Sequence, residues 1–283
     1  MGKFSDLLFA SDFDHTLSAL DNTVPPQNLR AIERFMADGG IFTVASGRSI
    51  PKFRKKAELV PVNAPCLLFN GGARYDFRTN RLIYGHPMPA GIGQIAKKLL
   101  DFEPRAHIEL QSVGRHYCLG PSETHDAALA QSGVPFVYLQ PGEDPPETCF
   151  KLAVYGFAGD PPFLTDEQLA SWDQARYDRL FVYLKGLSEG RFEAVRSMPY
   201  ILELNPIGIH KGQAARKLAN DLGRRMLVCA GDAQNDISML READIAFCPA
   251  DADPEVLSGG YTRLCPCSDG SIADAVARLD AML

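Results

Sequence analysis

Four short apolar runs each stop at a small or acidic polar residue: "DLLFASD" (6–12), "IFTVAS" (41–46), "CLLFN" (66–70) and "MLVCAGD" (226–232). Apolar runs of this length bounded by turn residues read as buried strands. Between the first two, residues 25–38 put Leu29, Ile32, Phe35 and Met36 on one helical face, and Gly39-Gly40 stops the helix. A strand, a helix and another strand pair in parallel, with helices covering the sheet faces. The C-terminal part repeats this logic. A helix over 212–222 carries Ala215, Leu218, Ala219 and Leu222 on one face, and a helix near 235–242 follows the fourth strand. A strand "DIAFC" (244–248) and a last helix marked by Ile272, Val276 and Leu279 complete the pattern.

The middle differs. A hairpin-like stretch runs from Arg74 to Tyr84, followed by a helix holding Ile92, Ile95, Ala96, Leu99 and Leu100. Strands are then predicted at "HIELQ" (107–111), "RHYCLG" (115–120), "PFVYLQ" (135–140), "CFKLAVYG" (149–156) and "RLFVYLKG" (179–186), with helical runs near 122–132 and 164–176. Such a module is α+β with mostly antiparallel strands. Pro/Gly-rich joints at 85–91 and 205–208 flank it. The expected organisation is a core from residues 1–85 and 190–283 with an inserted domain over 86–189.

The 283 residues suffice for two domains, and 46% apolar with 23% charged is a globular balance. No apolar run reaches the roughly 20 residues of a membrane span, and the N-terminus lacks a signal-peptide pattern. Seven cysteines with no Cys-x-x-Cys and no zinc spacing read as reduced thiols in a cytoplasmic protein, with Cys265-Pro-Cys267 as the alternative redox pair. The net charge of −6 argues against a nucleic-acid partner, and "KFRKKAE" (52–58) reads as the solvated face of a helix opened by Pro51. "GIGQIA" (91–96) fits a dinucleotide fingerprint, but Pro87 and Pro89 stand where a strand must lead in, so it reads as a helix N-terminus.

Ligands of an open parallel sheet bind at the C-terminal strand ends. These ends carry Asp12, Ser46-Gly47, Asn70-Gly71 and Gly231-Asp232. An aspartate there can be a nucleophile if a metal neutralises it and its target. Asp14, two residues on, can serve as general acid and base if burial and its neighbour raise its pKa. Hard oxygen ligands from Asp12, Asp14 (by its carbonyl) and Asp232 suit Mg²⁺, with Asn235 and Asp236 close by at a helix start. Ser46, the Gly47 N–H and Lys211 suit the oxygens of a phosphoryl group. Arg48 and Asn70 are further candidates for substrate contact. Glu203 reads as a brace of the linker, and His86, His107, His116, His125 and His210 as scattered surface or inserted-domain residues.

"DFDHTL", "VASGRS", "GIHKG" and "GDAQND", in that order, resemble the four motifs of the haloacid dehalogenase-like phosphohydrolases. "NGGARYD", "ILELNPIGIHKGQA" and "SDGSIADAV" resemble the Cof-type branch (subfamily IIB) with its large α/β cap. The resemblance implies a Rossmann-like α/β core with an inserted α+β cap. It implies a Mg²⁺-dependent phosphatase of small phosphorylated metabolites, sugar phosphates among them, as monomer or homodimer. By it Asp12 is the aspartyl-phosphate nucleophile and Asp14 the acid/base. Asp12, Asp14, Asp232 and Asp236 serve the metal, and the Phe13 N–H, Ser46, Gly47, Lys211 and Asn235 the phosphate. His15 departs from the family's usual glycine. Two other activities fit the same residues: a phosphomutase of the same superfamily and a non-catalytic phosphometabolite sensor.

Overall fold

The structure, a computed structural model, describes residues 2–157, 172–188, 190–198 and 200–283. From the N-terminus, β1 (Leu7–Ser11) leads through a kinked turn at Phe13–Leu17 into α1 (Pro26–Ala37), β2 (Ile41–Val44) and α2 (Ile50–Ala57). Three short strands follow, β3 (Cys66–Leu68), β4 (Ala73–Asp76) and β5 (Arg81–Gly85). The middle supplies α3 (Ile92–Phe102), β6 (Ala106–Ser112), β7 (His116–Leu119), α4 (Glu123–Ser132), β8 (Phe136–Tyr138) and β9 (Cys149–Phe157). It continues with α5 (Gln174–Leu187), β10 (Phe192–Met198) and β11 (Ile201–Pro206). The chain then runs through α6 (Lys211–Asp221), β12 (Met226–Ala230), α7 (Ile237–Glu242), β13 (Ile245–Cys248), α8 (Pro254–Leu257), β14 (Thr262–Arg263) and α9 (Ser271–Met282).

Two compact units result. The first holds the residues up to Arg48, Phe53–Tyr84 and Ile209–Leu283; the second holds Ser49–Lys52 and Gly85–Gly208. The first is built on a parallel sheet in the order β14-β13-β12-β1-β2. Successive residues of β1 face opposite sides. Leu8 and Ala10 join a core with Leu218 and Ala219 of α6 and Met239 and Leu240 of α7. Phe9 instead enters an aromatic cluster with Phe35, Phe42 and Phe247 at centroid distances of 5.9, 5.4 and 6.5 Å. Phe9→Ala is expected to cost about 3–5 kcal/mol, because the rings around so enclosed a site cannot collapse into the hole. Denaturant unfolding measures this through a lower midpoint.

Sequence alone predicts "CLLFN" as a third parallel strand. β3 meets the parallel set only through a bridge from Ala45 to Leu67 and otherwise pairs antiparallel with β4 in a β3-β4-β5 sheet. The reason lies just past it. Phe69 and Asn70 both adopt left-handed backbone (φ 53° and 56°), as does Gly71, and turn the chain straight back.

The second unit has a six-stranded sheet, β10-β11-β9-β6-β7-β8, antiparallel except between β7 and β8. Ile108, Leu110, Leu152, Val154, Leu202 and Leu204 form a core with side chains of α3 and α5. The strand predicted over 179–186 is the body of α5, whose Asp173 cap accepts from the Arg176 N–H. Its β-branched and aromatic letters suggest a strand, but Tyr177, Leu180 and Leu184 recur at helical spacing and are buried, while Val182 is exposed. Most of the helical run predicted at 164–176 lies outside the described residues. The expected boundary near 190 also moves, because β10 and β11 pair with β9 and carry this unit on to Gly208.

The other sheet face is mostly polar, and three histidines gather there rather than scatter, His107 and His116 from its strands and His125 from α4. His116 Nδ1 lies 2.9 Å from Glu109 Oε2, Gln111 Nε2 donates to the same oxygen at 2.9 Å, and the His107 and His125 rings stack at 4.3 Å. Lys151 donates to Glu203 at 2.5 Å, both buried. Glu203 therefore braces this sheet.

Candidate active site

The site grows out of strand register. Ser11 of β1 aligns with Ala230 of β12 and Val44 of β2, so the residues beyond them leave the sheet together. The Asp12 N–H donates to Ala230 O at 2.9 Å, which fixes the first residue past β1. Lys211, the buried first residue of α6, donates from Nζ to Asp12 Oδ1 and to Asp236 Oδ1, each at 2.6 Å. Asp236 Oδ2 accepts the N–H groups of Asp232 and Ala233 at 3.2 and 3.1 Å. This tight turn requires Gly231, since a Cβ there would stand 2.5 Å from that of Asp236. Thr16 donates to Asp232 Oδ1 at 2.5 Å.

Carboxylate oxygens of Asp12, Asp232 and Asp236 lie within 4.8 Å of one another, all three residues buried. Three acids face one ammonium, and the electrostatics record the imbalance. Burial, with Asp236 and Asp14 as like charges, outweighs Lys211 and pushes Asp12 up to about 7. Asp232 is raised well above the carboxylate range by burial and by Asp12 and Asp236. Burial would lower the Lys211 ammonium, yet Asp12 and Asp236 outweigh it and raise it. An all-oxygen, net-negative, buried cluster fits a hard divalent cation. Because Asp236 already serves Lys211 and two backbone N–H groups, Asp12 and Asp232 are the better-placed ligands and Asp236 the residue that orients them.

Asp14 is set apart from these three. Its half-buried carboxylate accepts from Arg48 Nε and Nη2, each at 2.7 Å. Burial would raise it, as sequence alone predicts, but Arg48 reverses the sign and holds it below the ordinary carboxylate range. His15 follows with left-handed backbone (φ 55°) and a half-buried ring.

The remaining predicted residues meet around Gly47. Asn235 Nδ2 donates to Asn70 Oδ1 at 3.1 Å, and a Cβ on Gly47 would lie 2.7 Å from that same oxygen. The loops after β2, β3 and β12 can therefore close together only over a glycine. Ser46 Oγ accepts the Arg48 N–H at 3.2 Å, and the Asn70 N–H donates to Ser46 O. The Phe13 ring packs edge-on against Phe53 at 5.3 Å. His210 caps α6 by accepting from the Gln213 N–H. "KFRKKAE" is not simply a solvated face: Lys56 is half-buried, its Nζ 4.9 Å from the Phe13 ring centroid.

The chain matches the haloacid dehalogenase-like hydrolase family over residues 9–259. It is 26% identical over 276 residues to the 5-amino-6-(5-phospho-D-ribitylamino)uracil phosphatase of Bacillus subtilis, covering 96% of this chain and 93% of that one. A solved haloacid dehalogenase-like hydrolase from Bacteroides thetaiotaomicron superposes with a TM-score of 0.78 at 18% identity, over 96% of this chain and 98% of that one. A subclass IIB sugar phosphatase of the same superfamily gives 0.74 at 17%, over 96% and 98%. These two likenesses speak to the fold.

Proposed function

Because the chain belongs to the haloacid dehalogenase-like hydrolase family and is a phosphoric monoester hydrolase, we propose that it is a Mg²⁺-dependent phosphatase working through an aspartyl-phosphate on Asp12. Its substrates on this reading are small phosphorylated metabolites, sugar phosphates among them. The activities for which the similar phosphatases are named support that class. The observation that carries the mechanism is the contrast between Asp12 and Asp14. They stand two residues apart, one against Lys211 among acids and the other against Arg48.

Asp12 and Asp232, with the Asp14 carbonyl and with Asp236 behind, would hold Mg²⁺, which would supply positive charge to keep Asp12 ionised and to screen the phosphoryl oxygens. An Asp12 oxygen attacks phosphorus and the bond to the leaving oxygen breaks. Asp14 gives that oxygen its proton, which requires Arg48 to loosen its hold. Asp14 then takes a proton from water, whose oxygen attacks phosphorus and frees phosphate and Asp12. Ser46, the Phe13 and Gly47 N–H groups, Lys211 and Asn235 hold the phosphoryl oxygens throughout. The second unit, inserted between stretches of the first, is read as the module that selects the substrate.

A panel of phosphomonoesters assayed with Mg²⁺ withheld and then restored tests this. Phosphate release that appears only with the metal is the expected result. Isomerised product without free phosphate would indicate a mutase, and binding without turnover a sensor.

The acid cluster also predicts a pH signature. Folded Asp12 titrates at about 7 against an ordinary 3.8, so metal-free folded protein holds a proton that the unfolded chain has lost. Stability without metal should therefore fall as pH rises across that window. Added Mg²⁺ should stabilise little near the lower limit and most above pH 7. Thermal midpoints with chelator and with Mg²⁺, taken from pH 4 to 8, measure both trends. A metal-free midpoint that climbs from pH 5 to 7 would contradict the assignment.

A further inference from the structure

Ser49 stands directly after the loop Ser46-Gly47-Arg48 and has no part in the reaction above. It is wholly buried, and its Oγ lies 2.7 Å from Nε2 of His116, the first residue of β7 and 67 positions away in the chain. His116 is wholly buried too, and its Nδ1 lies 2.9 Å from Glu109 Oε2 in an oblique approach. Strand register sets this up. Gln111 of β6 pairs with His116, so Glu109, two residues away, shares that face and meets the ring diagonally. Glu109 Oε2 also accepts from Lys52 Nζ at 3.0 Å, and Lys52 Nζ donates to Tyr155 OH at 2.8 Å. The Lys52 N–H donates to Ser49 Oγ at 3.3 Å, so the circuit closes on the first turn of α2. Ser49–Lys52 belong with the second unit, whereas Arg48 belongs with the first.

The proton positions follow from the partners. Burial would raise the Glu109 carboxyl, but Lys52 and its other partners hold it well below the ordinary range. A carboxylate only accepts, so His116 Nδ1 carries the proton that faces it. Burial lowers the His116 pKa, which leaves the ring neutral and lets Nε2 accept from the Ser49 hydroxyl. Serine, histidine and an acid in this order activate the nucleophile of many hydrolases. Here the serine is enclosed and its Oγ already accepts a backbone N–H, so no substrate reaches it. What it can fix is the chain beside it. That chain is tied by its backbone, with the Ser46 N–H donating to Leu67 O at 2.8 Å and the Phe69 N–H to Arg48 O at 3.0 Å. Between these ties stands Gly47, whose backbone has the widest freedom of any residue.

We propose that His116 and Glu109 are positioning residues for phosphoryl transfer. By fixing the Ser49 hydroxyl they hold the far end of the Ser46-Gly47-Arg48 loop, and with it Ser46 Oγ and the Gly47 N–H. This rests on the phosphatase reading above, which gives those two groups to the phosphoryl oxygens. Neither His116 nor Glu109 touches substrate; they act through Ser49.

Hydrolysis of p-nitrophenyl phosphate with Mg²⁺, and inhibition by orthovanadate and by inorganic phosphate, test this on Ser49→Ala, His116→Phe and the double variant. Each single change should lower kcat per folded molecule about ten- to a hundredfold, the order that an ångström of misplacement costs. Orthovanadate, which takes the five-coordinate shape of the transition state, should bind about tenfold less tightly while phosphate affinity moves less than about threefold. The double variant should be no slower than the slower single one, because both act through one contact. Ser49→Thr keeps the hydroxyl and should keep most of kcat. A purely structural contact would lower the thermal midpoint yet leave the kcat of folded protein and the orthovanadate affinity unchanged. That result in Ser49→Ala, which decides the matter if His116→Phe does not fold, would overturn the proposal and leave the phosphatase reading standing. Wild type that hydrolyses no ester, with calorimetric orthovanadate binding that the variants weaken, would sink the phosphatase reading and leave the positioning role. Wild type with neither turnover nor orthovanadate binding would sink both.

Discussion

Replacing Asp12 by asparagine is expected to lower kcat by on the order of 10⁴-fold or more, because the proposed mechanism gives Asp12 the covalent step. The same change should leave the metal-free protein at pH 8 as stable as the wild type or more so. Asp12 is buried, and Asp236 and Asp14 repel its charge strongly enough to push it up to about 7. The amide removes that repulsion while Lys211 keeps its bond to Asp236. A residue kept for the fold would show the opposite pairing, lower stability with activity lost in proportion. Steady-state kinetics and denaturant melts on one preparation separate the two. Activity within tenfold of wild type would remove Asp12 from the chemistry.

Lys211→Met should damage both properties. Among the described residues Lys211 is the one ammonium that bonds Asp12 and Asp236, and it is buried with them. Its loss leaves buried carboxylates without a partner, a change that costs about 3–5 kcal/mol in comparable settings. The phosphoryl group also loses a fixed positive charge, worth about 10²–10³ in kcat for a single preorganised donor. Mg²⁺ should recover part of the stability, because it offsets the same acids, but little of the rate. Asp12→Asn and Lys211→Met therefore differ in the sign of their effect on metal-free stability, and comparing them tests the charge balance directly. A Lys211→Met protein as stable as wild type in chelator would mean that the acids are not paired through this lysine.

Much of the site was legible because strand ends are easy to see. The letters change from apolar to polar within one residue, and a parallel sheet sends every such end to the same edge. Asp12, Ser46 and Asp232 follow from that rule, and Lys211 from its place at a helix start, together with the resemblance. What escaped were properties that depend on neighbours distant in sequence. Arg48 reverses the expected shift of Asp14, and nothing in "SGRS" says where its side chain turns. Lys56 in a basic run reads as solvated until Phe13 is found beneath it. The strand assigned to 179–186 failed for a local reason, since aromatic and β-branched letters outweighed the three- and four-residue spacing of Tyr177, Leu180 and Leu184. Glu109, His107 and His116 looked unrelated because strand pairing, not sequence, gathers them on one sheet face, and His125 joins them from α4 by stacking on His107.

The covalent role of Asp12 is the centre of the account, and chemical trapping reaches it most directly. Enzyme turning over a good phosphomonoester with Mg²⁺ is quenched with borohydride, which reduces an acyl phosphate to an alcohol, and its peptides are mapped by mass. Homoserine at position 12, formed only when both substrate and metal are present, is the predicted result. Rapid phosphate release with Asp12 unmodified and an acyl phosphate trapped at another carboxylate would contradict it.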